Sequence, residues 1–277
     1  MHYNWQNKVV LITGSAMGIG WQLAQEFAQA GASVVLNARN KKRLKFKEQL
    51  LAEKGYKVTS FCGDVSDAHT CKQMIEHCIT TFGKIDILIN NAGLSAESNP
   101  VEEINVDVFA ELVKVNFLGA VYCSKEALPY LKKTKGHLLF ISSVAGIHGL
   151  GNYAAYCSSK MALTGFAESL QKELCDHSVS VGIAYIGFTE NDPDKQVVAG
   201  NGIYIPQPKR NLKVASAKQV AIRLIKMIEQ KEKAVVFSAM GKLLWYLNRL
   251  SPAITNKLLV LLYRKEQMKN QQQLQHA

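Results

Sequence analysis

No run of apolar residues in this chain of 277 approaches the 18 or so that span a bilayer, so no transmembrane helix is expected. Residues 1–5 have neither a basic start nor an apolar stretch before the first predicted strand, and no secretory leader is expected. The six cysteines, at 62, 71, 78, 123, 157 and 175, form no CxxC pair and no metal-ligand spacing. That pattern speaks against a disulfide framework or a metal site. It favours buried or free thiols in a reducing, cytoplasmic compartment. Net charge is also missing from most of the chain. Residues 209–277 carry 14 Lys and Arg against 3 Asp and Glu, which leaves residues 1–208 with 19 of each. The whole excess of +11 is therefore a local surface near one end. No nucleic-acid-binding motif accompanies it, so no nucleic-acid partner is expected.

What is present is an alternation of short apolar runs and amphipathic stretches, with 48% apolar residues, enough for one large α/β core. Residues 8–13, Lys-Val-Val-Leu-Ile-Thr, read as a parallel strand covered on both faces. Gly14-Ser15-Ala16-Met17-Gly18-Ile19-Gly20 follows at once, and residues 21–30 then read as an amphipathic helix ended by Gly31. Strand, glycine turn and helix aim backbone N–H groups at one point, which suits a pyrophosphate. The second strand, 33–37, runs into Ala38-Arg39-Asn40. An acidic residue there would bond a ribose 2′-hydroxyl, whereas a small neutral residue and an arginine accommodate a 2′-phosphate. NADP(H) is therefore favoured over NAD(H). A third strand at 57–62 leads to Asp64-Val65, where a carboxylate could hold the adenine amino group. The fourth, 85–89, closes on Asn90-Asn91-Ala92-Gly93, whose small residues let backbone approach a cofactor and whose amides can tie strand ends together. A helix from about Val106 carries Asn116, with Gly119 giving close packing. Asn116 reads either as a core asparagine bonded to backbone or as part of a site.

Ser143 closes an apolar strand, 137–143, and so lies at a strand's carboxyl end, where open α/β sheets place ligands. Tyr156 and Lys160, four apart on a helix spanning about 152–177, leave the same face one turn apart. An ammonium close to a phenol stabilises the phenolate and brings its pKa down from about 10. His148, in the loop between, could touch a substrate. A sixth strand is expected at 180–186 and a last at 234–237, after a helix over 216–231. Residues 187–210 read as a loop of lid length, with Ile203-Tyr204-Ile205 offering an apolar surface to substrate.

Taken in order, Thr13-Gly14 with Gly18-Ile19-Gly20, Asp64-Val65, Asn90-Asn91-Ala92-Gly93, Asn116, Ser143 and Tyr156 with Lys160 resemble the short-chain dehydrogenase/reductase family over nearly 240 residues. The resemblance implies a single-domain α/β fold with a Rossmann-type, doubly wound parallel sheet of about seven strands and NAD(P)(H) across the strand ends. It implies that Tyr156 is the acid-base residue and that Lys160 lowers its pKa and holds the nicotinamide ribose. Ser143 would bond the substrate oxygen and Asn116 would support proton delivery. Gly14, Ser15, Gly18, Ile19, Gly20, Arg39, Asp64, Val65, Asn91, Ala92 and Gly93 would line the cofactor. Where the family has Pro-Gly after the sixth strand, this chain has Ile186-Gly187, which frees a φ angle but leaves Gly187 and Thr189 for the carboxamide. The expected function is hydride transfer between NADP(H) and a carbonyl or secondary alcohol, on an apolar or lipid-like substrate, in a homodimer or homotetramer. The rival reading is a dinucleotide-binding sensor or scaffold without turnover, and the intact Ser143, Tyr156 and Lys160 argue against it.

Residues 1–240 hold all of this, and 241–277 form an extension. Residues 241–250 and 252–265 read as two amphipathic helices separated by Ser251-Pro252, an N-cap followed by proline at the first helical position. Leu243, Leu247, Leu250, Ile254, Leu258 and Leu262 form a stripe at helical spacing. It packs on the body, on a twin subunit, or in a membrane interface on the cytoplasmic face. The glutamine-rich residues 266–277 read as frayed.

Overall fold

A computed structural model describes residues 5–190, 192–208 and 214–275. Apolar runs buried on both faces form β1 (Val9–Ile12), β2 (Ser33–Ala38), β4 (Ile87–Asn90), β5 (His137–Ser143) and β6 (Ser180–Ile186), while β3 (Val58–Cys62), at the sheet's edge, is only half-buried. Two short strands, β7 (Gln196–Val198) and β8 (Tyr204–Pro206), precede β9 (Ala234–Val236). Seven strands pair in parallel in the order β3-β2-β1-β4-β5-β6-β9. The chain winds outward from β1 one way and then the other, so the switch point falls between β1 and β4. Ligands bind there in such sheets, outside the carboxyl ends.

Helices α1 (Gly18–Gln29), α2 (Lys41–Ala52), α3 (Ala68–Phe82), α4 (Val106–Val113), α5 (Gly119–Thr134), α6 (Ala154–Glu173) and α7 (Ala217–Glu229) follow in chain order. One core gathers Phe27, Leu44 and Leu224 from α1, α2 and α7, and the other gathers Met74, Leu131 and Leu163 from α3, α5 and α6. Local signals fix their ends. Asp67 accepts from the N–H groups of His69 and Thr70 to start α3, and Gly83 at φ +78° ends it.

Three expectations are corrected. The stretch 187–210 is not all loop, because β7 and β8 form an antiparallel hairpin within it; its last residues, Lys209 and Arg210, lie outside the described residues. The helix carrying Asn116 is interrupted by a π-helical turn, Lys114–Leu118, between α4 and α5. The extension forms α8 (Ala239–Leu250) and α9 (Pro252–Gln275), so residues 266–275 continue a helix where fraying is expected; 276 and 277 lie outside the described residues. Among the described residues no helix is long and apolar enough to cross a membrane.

His137, at the start of β5, is buried, and among the described residues neither of its ring nitrogens has a hydrogen-bond partner. Burial, helped by Lys231, pushes its pKa down to about 3. The unfolded chain binds this proton near pH 6.5 and the folded one does not, so stability falls with pH between 6.5 and about 3. Thermal unfolding from pH 7 to 4 should show a loss that His137→Leu reduces. An identical pH slope in the two proteins would remove His137 as its cause.

Candidate active site

The turn from β1 into α1 needs glycine at three points. Gly14 and Gly18 hold φ of +62° and +54°, and a Cβ on Gly20 would lie 2.5 Å from both Asn91 Nδ2 and Gly14 O. Asn91 Nδ2 donates to the carbonyls of Thr13 and Gly14 at 2.9 and 3.0 Å, tying the ends of β1 and β4 across the switch point. Ser15 faces inward: it is fully buried, and its N–H and hydroxyl both bond to Asn37. Ile19 packs against the core beneath the turn. Met17, at the N-cap of α1, makes no side-chain cap bond, its sulfur accepting instead from Arg43 Nη1 at 3.5 Å, so the first amides of the helix are left for another group. A carboxylate takes one of them, Gly18 N–H donating to Asp192 Oδ2 at 3.1 Å. The donor set thus selects an anion, and it fits a phosphate.

At the end of β2, Arg39 Nη1 lies 3.5 Å from Asp64 Oδ2. The Tyr204 hydroxyl donates to Glu111. Asp64 additionally accepts from Ser66 N–H at 2.9 Å, so the carboxylate expected at an adenine is held by Arg39 and its own turn. Val65 is buried against Gly119, where a Cβ would lie 2.8 Å from Val65 Cγ2. Tyr204 therefore meets a polar partner, where the sequence suggests an apolar surface. His148 Nδ1 lies 3.0 Å from Gly149 O, in its own loop.

The second cluster forms around Lys160. Asn116 brackets Leu94, accepting from its N–H at 2.7 Å and donating to its carbonyl at 3.0 Å, and it also donates to Ser159 Oγ at 3.0 Å. The π-helical turn, by adding a residue to the coil, directs this amide toward the end of β4. Gly93 lets the groups close up, since a Cβ there would be 3.1 Å from Asn116 Oδ1 and 3.4 Å from Lys160 Nζ. Lys160 is 5% exposed and donates to Ile141 O at 3.1 Å. Burial, with Lys195 nearby, pulls its ammonium down to about 8. Its Nζ is 5.9 Å from the centroid of the half-buried Tyr156 ring. Ser143 Oγ accepts from Ala145 N–H at 3.2 Å, which leaves its O–H to donate. Gly187 is packed close to Ser238, and Thr189 bridges to Ala215. Ile186 is the last residue of β6, in register with Ser143.

Sequence reasoning missed Arg43, Ser159, Asp192, Asp194 and Lys195. Asp192 and Gly18 are 174 positions apart, so no local pattern could join them.

A doubly wound sheet with a glycine turn at its switch point and a tyrosine-lysine pair at the adjoining strand ends defines a dinucleotide-dependent oxidoreductase. Residues 8–201 match the short chain dehydrogenase family. The chain is 33% identical over 254 residues to a dehydrogenase/reductase SDR family protein 7-like of Drosophila melanogaster, covering 89% of this chain and 78% of that protein. It is 40% identical over 190 residues to an 11-beta-hydroxysteroid dehydrogenase-like 4A of Arabidopsis thaliana, covering 66% of this chain and only 62% of that protein. An alcohol dehydrogenase from the archaeon Thermococcus sibiricus, solved with 5-hydroxy-NADP, superposes with a TM-score of 0.73 at 25% identity, over 83% of this chain and 95% of that one. The chain belongs to the short-chain dehydrogenase/reductase family and is an oxidoreductase that uses a nicotinamide cofactor.

Proposed function

We propose that this protein is an NADP(H)-dependent reductase of carbonyls, or the corresponding alcohol dehydrogenase, acting on an apolar, lipid-like substrate. The single observation that carries it is Lys160, a buried ammonium one helical turn from Tyr156 and against Gly93 at the end of β4. A cation is kept there against its desolvation cost, which a chemical role explains and packing alone does not. The nicotinamide, when bound, supplies or takes the hydride. Tyr156 gives its proton to the oxygen of the carbonyl, and Ser143 donates a hydrogen bond to that oxygen as charge develops. Lys160 stabilises the phenolate that remains when the proton is given, and Asn116 keeps the end of β4 fixed beside it. Gly14, Gly18, Gly20, Asn91, Ala92 and Gly93 would form the cradle, with Arg39 at the 2′-phosphate and Gly187 and Thr189 at the carboxamide.

Initial rates on a panel of apolar, steroid, sugar and acyl-thioester carbonyls, with NADPH and with NADH, test the assignment. NADPH should be preferred, and Arg39→Asp should lower that preference at least about tenfold, since one charge-assisted hydrogen bond is worth about 1.5–3 kcal/mol. Equal use of both cofactors by the wild type would refute the NADP(H) reading at its root.

The likeness to hydroxysteroid dehydrogenase-like proteins supports an apolar substrate, and so does the extension. Its inward face is Gly241, Trp245, Asn248 and Thr255, with Asn248 Nδ2 donating to Ile147 O at 3.1 Å. Tyr263 packs on Gly151 and donates to Asn152, at the mouth of the loop that precedes Tyr156. Apart from the half-buried Leu247, the stripe faces away from the body, with Leu250 83% exposed and Leu243, Ile254, Leu258 and Leu262 also exposed. Lys257, Arg264 and Lys265 accompany it, whereas Arg249 stacks on Trp245 at 3.9 Å and pairs with Glu168 at 3.6 Å. In our reading this face lies in an anionic lipid interface, where each nearby cation adds about 1 kcal/mol. Full-length protein should pellet with phosphatidylserine vesicles at low salt, and Leu250→Asp with Leu258→Asp should release it without loss of activity on a small soluble ketone. Protein that stays in the supernatant, and elutes as a dimer that Leu250→Asp dissociates, would assign the stripe to a second copy.

A further inference from the structure

The segment leaving β6 lies across the cleft, and its two sides are held differently. On the side of α4 the contacts are main chain: Glu97 N–H to Val198 O at 2.8 Å, Val198 N–H to Ser95 O at 2.9 Å and Asn105 N–H to Gly200 O at 2.8 Å. On the side of α1 and α2 they are made by side chains, two of them carboxylates. Asp192 Oδ2 sits 3.1 Å from the first amide of α1, and Asp194 Oδ2 sits 2.8 Å from Arg43 Nη2.

A helix amino end favours a carboxylate for the reason it favours a phosphate, through its unpaired N–H groups and its dipole. A guanidinium likewise pairs with either anion. We propose that Asp192-Pro193-Asp194 is a built-in competitor of the cofactor, a strap whose two carboxylates hold the donors that the dinucleotide's phosphates take. The inference rests on the dinucleotide reading of this cleft. Pro193 fixes φ between the two acids, so they release as a unit. The main-chain contacts act as the hinge and the carboxylates as the latch. Arg39 and Arg43 leave Asp64 and Asp194 only for a group that repays both, which makes a 2′-phosphate the natural trigger. Latched protein does not bind, so the measured affinity is reduced by the fraction that is open.

The test is NADPH binding to full-length wild type and to Asp192→Ala/Asp194→Ala, by fluorescence titration and stopped flow. Both acids lie on a partly exposed segment, so the variant should fold, and a thermal melt checks this. The variant should bind about tenfold more tightly, the loss of one charge-assisted contact. Its observed association rate should stay linear in NADPH where that of the wild type levels off at the rate of strap opening. Unchanged or weaker binding by the variant overturns the strap and leaves the dinucleotide reading standing. Failure of both proteins to bind NADPH or NADH overturns the dinucleotide reading, and the strap with it.

Discussion

Tyr156→Phe is expected to lower kcat/KM for carbonyl reduction by roughly 10²–10⁴-fold, the contribution of a positioned general acid, while NADPH still binds. The reason is local. The ring of Tyr156 is half-buried on α6, and phenylalanine fills the same space, so packing and the neighbouring Lys160 are undisturbed. What disappears is the one proton at that place. Ser143 donates a hydrogen bond but is far too weak an acid to replace a phenol beside an ammonium. Steady-state kinetics with a ketone, together with NADPH titration, separates the two effects. A loss under about tenfold would take the acid-base role away from Tyr156.

Lys160→Met should depress turnover by one to two orders of magnitude, from the loss of about 1.5–3 kcal/mol of charge-assisted stabilisation of the phenolate, and should weaken NADPH binding as well. The sign of its pH dependence follows from burial. With the ammonium pulled down to about 8, Lys160 is charged at neutral pH and loses its proton as pH rises through that value. Reductase activity should therefore decline above about pH 8, and Lys160→Met should flatten that limb. Stability should move the other way. Methionine matches the lysine stem and removes a buried charge whose one described acceptor is Ile141 O, so the melting temperature should hold or rise. A variant that loses both stability and activity in parallel would mean that Lys160 serves the fold.

The lettering of β5 and β6 could be read to the residue. Each has an apolar run, Leu138–Ile141 or Ile183–Ile186, next to polar or small residues, and each is paired on both sides, so its core was visible. The glycines of the turn and the pairing of Asn91 across β1 and β4 were legible for a similar reason, since few residues satisfy a left-handed φ or a contact that a Cβ would close. The π-helical turn at Asn116 was not legible. One extra residue in a helix leaves the apolar periodicity almost unchanged, and the turn is held by Leu94, 22 positions away. The hairpin β7–β8 escaped for another reason. Its strands have three residues each, too few for an alternation to show, and they are fixed by main-chain bonds to residues 95, 97 and 105.

The extension separates the two kinds of information most clearly. Helical spacing in the sequence determined that Leu243, Leu247 and Leu250 fall on one face of the first helix, and Ile254, Leu258 and Leu262 on one face of the second, because a helix repeats every 3.6 residues wherever it packs. It could not determine which way that face turns, because a stripe against the body and a stripe against lipid are the same string of letters. Gly241 decides it: a Cβ there would lie 2.6 Å from Val144 Cγ1, so α8 approaches the body along that edge and carries the leucines outward. The same holds at the cleft. The chain itself specified a glycine turn, an arginine after β2 and a tyrosine-lysine pair, each a matter of residue type at short range. That Asp192 and Asp194 reach back to α1 and Arg43 was decided by tertiary structure alone, because electrostatic pairing depends on distance in space and not along the chain.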